Sequence, residues 1–219
     1  MDPLIVLENF NSSLAKSEFK DKLGRVFQYA CRGISGFLNE TGTGSKDTLE
    51  TLKLTQSSFA DARRLNRFFK ELAVGPSISF DDPDEVNRYL TVGSKVSLVL
   101  FFIIDHMAML QKWKFVNGQA GDTIKLAMKF FTLAQIANLA IQIKKLKEEM
   151  DNEGTPKFSK ARKDAATMGV IKTALLVLQG LHVSGTIETR DSIVGAAGVF
   201  TSFLDLQAMW PAIKGGKKE

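Results

Sequence analysis

A chain of 219 residues with net charge +5 and one cysteine, Cys31, can bury a sizeable core and excludes an intrachain disulfide framework. A pI near 9.2 favours phosphate-rich partners, yet no finger, basic-zipper or aromatic ribonucleoprotein pattern points to nucleic acid. Nucleophile elbow, dinucleotide fingerprint and metal-ligand spacing are lacking, so no enzyme, metal or cofactor is expected.

The chain opens with a lead-in over about 3–15, where Asp2 and Glu8 stand in place of the positive charge of a secretory signal. Residues 17–38 then separate into two faces. At helical spacing Phe19, Leu23, Val26, Phe27, Ala30, Ile34, Phe37 and Leu38 share about 120° of arc, with Lys22, Arg25, Gln28 and Arg32 opposite. Such a helix either packs its stripe on a protein core or lies flat in an anionic membrane surface with the stripe among acyl chains. Asn39 to Gly44 break it, and Gly42 to Lys46 read as a helix-to-helix loop. They lack the strand and the glycine–lysine spacing of a phosphate loop.

A second basic amphipathic helix is predicted over 47–73, with Asp47 and Glu50 as a capping box. Leu54, Ala62, Leu65, Phe69 and Leu72 lie on one side, and Arg63, Arg64, Arg67 and Lys70 on the other. Gly75-Pro76 ends it, and Asp82-Pro83 opens a helix running to about 114. Further helices are predicted over 121–150, 160–183 and 189–210, with 151–163 as a polar linker; no stretch alternates as a strand should. The domain division expected is a cytosolic amphipathic region, 1–91, and a membrane-embedded region, 92–219.

Four apolar runs, 96–111, 130–143, 173–187 and 192–213, fall short of a clean span of about 20 residues. The best candidates are 92–112 and 192–213, which predicts an all-α, membrane-associated bundle with about two transmembrane helices. Gly195, Gly198 and Ser202 offer a small-residue face for close helix packing, including contact with a second copy. Asp105, His106 and Asp205, if at depth, must face other helices or water.

In chain order, Lys20-Asp21-Lys22 with Arg25, Gln28-Tyr29 and Arg32, SSFADARRLNRFFKEL at 57–72, FFIIDHMAML at 101–110 and SIVGAAGVFTSFLDLQAMW at 192–210 resemble motifs of the peroxisomal biogenesis factor 11 family. The resemblance covers almost the full length. Residues 32–38, RGISGFL, lack the aromatic cluster often found there in the family, and the short chain with its Lys217-Lys218-Glu219 end suggests a kinetoplastid glycosomal member.

The resemblance implies a peroxisomal (glycosomal) membrane protein with cytosolic termini that bends and elongates the membrane before division, working with a dynamin-related fission machinery. Lys20, Lys22, Arg25, Arg32, Arg63, Arg64 and Arg67 would then meet anionic headgroups, each contributing roughly 1 kcal/mol. Because one helix bends little, homo-oligomers are expected. The alternatives are a pore for small metabolites lined by Asp105, His106 and Asp205, and a soluble helical scaffold.

Overall fold

In the computed structural model, which describes residue 9 and residues 12–156 and 158–210, the predicted helices form within a few residues of their expected bounds. They are α1 (Ser17–Glu40), α2 (Lys46–Asn66), α3 (Lys70–Val74), α4 (Glu85–Lys112), α5 (Ala120–Asp151), α6 (Lys160–Val183) and α7 (Asp191–Met209). Among the described residues there is no strand, and the fold is all-α. The expected lead-in falls largely on residues outside those described, as does the lysine-rich end.

Local chemistry fixes the helix starts, at two places differently from the sequence reading. Ser45, not Asp47, caps α2: its Oγ accepts from the Thr48 N–H at 3.2 Å. Asp84, not Asp82, caps α4, accepting from the Asn87 N–H at 2.9 Å, while Asp82 accepts from the Asp84 N–H. A hydrogen bond from Lys144, reinforced by the Asn87 N–H, holds the Asp84 carboxyl below the usual carboxylate range. The helix expected to run unbroken over 47–73 stops at Asn66. Phe69 adopts a left-handed φ of 63°, α3 restarts the helix for five residues, and Gly75–Ser77 closes with a 3₁₀ turn.

Helix α4 packs on α5, α5 on α6, and α1 on both α2 and α7; α6 touches α7. The division expected at residues 91 and 92 falls inside α4, and α1 runs against α7, so the two regions form one bundle. The linker expected over 151–163 is shorter, since α5 runs to Asp151 and α6 starts at Lys160, and Arg162–Glu149 and Lys163–Glu153 ion pairs at 2.8 Å hold the two helix ends together.

Four helices, α4 to α7, are long and apolar enough to cross a bilayer, where two were expected. Asp105 and Asp205, which interrupt two of the apolar runs, are buried, and so are polar residues within the other two. Thr132 and Gln135 of α5 and Thr173 and Gln179 of α6 are buried, and Lys172 is hydrogen-bonded to Asp205.

The inside is accordingly more polar than apolar. Among the described residues, sixteen polar or charged ones are buried against twelve hydrophobic ones, whereas twenty-nine large hydrophobic side chains are exposed. A water-soluble bundle shows the reverse, and an exposed apolar surface of this extent fits acyl chains. A small apolar core remains around Phe101, Phe102 and Ala127, with Phe131 tilted against Phe101 at 5.4 Å.

Candidate functional site

The cationic residues of α1 and α2 turn toward each other and toward the membrane helices. From α1, Arg25 donates to Gln179 of α6 at 2.8 Å and to Thr201 of α7 at 3.3 Å, while Lys22 reaches Asp205 of α7 at 3.1 Å. Farther along the same face, Arg32 donates to Asp191 at 2.7 Å, where His182 also meets the same carboxylate at 3.0 Å. Every one of these α1 side chains bonds a residue far away in sequence, and together they lash α1 to α6 and α7.

On α2, Arg63 donates to Asp21 of α1 at 3.2 Å and also to Gln28. Arg64 and Arg67 converge on Asp105 of α4, each at 3.0 Å, so one carboxylate receives two guanidinium groups. Arg64 also holds Asp61 at 2.9 Å, and Arg67 lies over the Phe101 ring at 5.4 Å. Asp105 is only 4% exposed, so its charge depends on these partners.

Lys22, Arg25, Arg32, Arg63, Arg64 and Arg67, expected at headgroups, thus bond partners within the bundle, and charges on helices that stand in hydrocarbon need such partners. Lys20 alone of the predicted headgroup set is exposed and, among the described residues, unpaired.

On the opposite arc of α1, Phe27, Ile34 and Phe37 are exposed. Leu23, Val26, Ala30 and Leu38 are half-buried. Phe19 departs from the expectation: it is 2% exposed, its ring 6.3 Å from that of Trp210. Phe27 stacks on Phe59 of α2 at 5.1 Å, which sequence spacing did not indicate.

Gly195, Gly198 and Ser202 are buried, and the small-residue face they form contacts α1 of the same chain rather than a second copy. A Cβ on Gly195 would lie 2.2 Å from the Gly33 Cα, and one on Gly198 would lie 2.1 Å from the Tyr29 Cγ. Along this crossing, an apolar groove of about 680 Å³ is lined by Tyr29, Gly33 and Gly195 together with Phe37 and Phe200.

The three residues expected to line one polar path are not brought together. Asp105 faces the cavity between α1, α2, α4 and α5; His106 packs on Phe68 at 4.5 Å with Nδ1 3.5 Å from Glu71. Asp205 stands behind Lys22 and Arg25 with Lys172. Sequence reasoning missed Asp21, Gln28, Gln179, His182, Asp191 and Thr201. Asp21 carried a signal as an acid among the lysines of a basic helix, and Gln28 as a member of its polar arc.

The sequence model of peroxisomal biogenesis factor 11 (PEX11) matches residues 7–210. The chain belongs to this family. It is similar to the peroxisomal membrane proteins PMP30B and PMP30A of Candida boidinii, at 22% and 21% identity, covering 92% of this chain and 93% of each relative. No solved structure matches it. With family membership comes peroxisomal biogenesis as the process, and the four apolar helices make this family member a membrane protein.

Proposed function

We propose that the chain resides in the peroxisomal membrane and elongates it, by setting the apolar face of α1 into the hydrocarbon beside α7, with both termini in the cytosol. The observation that carries this reading is that Phe27, Ile34 and Phe37 of α1 are about half exposed, at 48%, 51% and 58%, on the same surface as Phe200 and Phe203 of α7. An apolar wedge adds area to one leaflet and favours curvature toward it. Because α1 is bolted to the bundle through Arg25 and Arg32, the wedge is rigid and bending is transmitted to the membrane helices.

In this reading the cationic face acts within the bundle, and attraction to anionic lipids is left to exposed lysines such as Lys20. Many copies acting together would be needed for a tubule, with a dynamin-related machinery completing division. The small-residue face of α7 is occupied by α1, so copies would meet through other surfaces.

Full-length protein reconstituted into anionic vesicles should draw them into tubules visible by electron microscopy. The double variant Phe27→Glu, Phe37→Glu should lose tubulation at equal incorporation and unchanged helicity. Tubulation retained by that variant would remove the wedge.

A further inference from the structure

The cavity between α1, α2, α4 and α5 carries more positive charge than its own carboxylates neutralise. Its inner chamber, about 130 Å³, is lined by Lys22, Arg25, Arg63 and Arg67. An outer chamber of about 470 Å³ shares Gln28, Arg32 and Arg64 with it and adds Lys53 and Lys112. Asp105, in the inner chamber, is the one carboxylate among the lining residues of the two.

The aspartates that pair with these cations do not restore balance. Asp21, Asp61, Asp191 and Asp205 approach from outside the cavity, and with Asp105 they set five negative charges against eight positive ones. Asp205 is moreover shared with Lys172. The surplus sits with Lys53 and Lys112, both exposed at the mouth, and like charge gathered there carries a cost in mutual repulsion. A multivalent anion in the cavity would relieve that cost, and guanidinium groups suit phosphate because they can donate two parallel hydrogen bonds.

The mouth has a definite place in the fold. Lys112 ends α4, Ala120 begins α5 and Val183 ends α6, and all three border the outer chamber. Where three membrane helices end, the water–lipid boundary begins, and exposed Trp113 and Phe115 in the adjoining turn suit that level. A phosphate group can reach the mouth there either on a lipid headgroup or from solution.

We infer that this cavity binds a phosphomonoester dianion, held by Arg32 and Arg64 at the waist and drawn in by Lys53 and Lys112 at the mouth. Such a group carries about −1.5 to −2 charges near neutral pH, which answers most of the excess. Binding there is independent of whether α1 bends the membrane.

The test is thermal unfolding of the full-length chain at fixed ionic strength. In detergent, inorganic phosphate replaces chloride; in nanodiscs, a phosphatidylinositol monophosphate replaces part of a zwitterionic lipid. A raised midpoint in detergent supports the site with a soluble ligand, and one confined to the nanodiscs supports it with a lipid headgroup. Lys53→Gln, which removes an exposed side chain with no ion pair among the described residues, should fold normally and need about tenfold more phosphate for the same shift. Arg32→Gln should weaken binding similarly or more. A midpoint indifferent to phosphate in both settings, or shifted equally in wild type and both variants, overturns the site.

Discussion

Asp105→Ala should lower the stability of the detergent-solubilised protein by about 3–5 kcal/mol, the cost of leaving buried cations without their counter-charge. Arg64 and Arg67 both bond this carboxylate at 3.0 Å, and Asp105 is only 4% exposed. After the change Arg64 keeps Asp61, and Arg67 keeps Asp21 at 3.6 Å, neither of which fills the position between them. For a chain of this length about 1 kcal/mol corresponds to roughly 2–4 °C, so the midpoint should fall by about 10 °C. Asp105→Asn should recover part of the loss, because the amide oxygen still accepts one hydrogen bond. An unchanged midpoint for Asp105→Ala would mean that α2 and α4 do not meet through this group.

The second large effect is steric. Gly195→Val places a Cβ at 2.2 Å from the Gly33 Cα and 2.3 Å from its nitrogen, and backbone cannot step aside as a side chain can. Overpacking of this kind costs about 1–3 kcal/mol where relaxation is possible and more where it is not. The expected outcome is separation of α1 from α7, read as increased proteolysis of the α1–α2 connection and a lower unfolding midpoint. Gly93→Ala is the contrast, since nothing lies within 4 Å of its Cβ. It should be neutral or stabilising by up to about 1 kcal/mol through helix propensity. Equal effects at the two glycines would contradict the close crossing.

These two sites also show what was legible in the sequence. The periodicity of residues 17–38 gave the helix and divided its surface into two arcs, but period alone does not say which arc faces inward. That sign belongs to the solvent: in water the apolar arc is buried, and in lipid the polar one is. Read as a helix flat on a surface, Arg25 and Arg32 pointed to headgroups. In the folded bundle their partners are Gln179 and Asp191, 154 and 159 positions away, and no local rule couples such residues.

The glycines of α7 were legible as a packing face, while their partner was not. Gly33 and Tyr29 of α1 occupy that face, so a contact expected between copies lies within one chain. Likewise α5 and α6 fell short of a clean span because the charged residues Lys129, Lys144, Lys172 and Glu188 bound their apolar runs, while Thr132, Gln135, Thr173 and Gln179 lie within those runs. Buried toward neighbouring helices, those residues are what allows the two helices to stand in hydrocarbon.

The break in α2 at Asn66 had no sequence signal either. Arg67 bonds Asp105 while Phe68 packs on the His106 ring, and the left-handed Phe69 follows directly after them.

The central claim is that α1 turns its charged face into the bundle and lies against α7 in the membrane. The measurement that addresses it most directly is disulfide crosslinking in native organelle membranes with Gly33→Cys and Ala196→Cys in a Cys31→Ser background. A Cβ on Gly33 would lie 3.6 Å from the Ala196 backbone nitrogen, so the two positions adjoin across the α1–α7 crossing. Rapid intrachain crosslinking under mild oxidation is the result the account predicts. No bridge, with the thiol introduced on α1 modified readily by a water-soluble maleimide, would show α1 lying apart from α7 and contradict it.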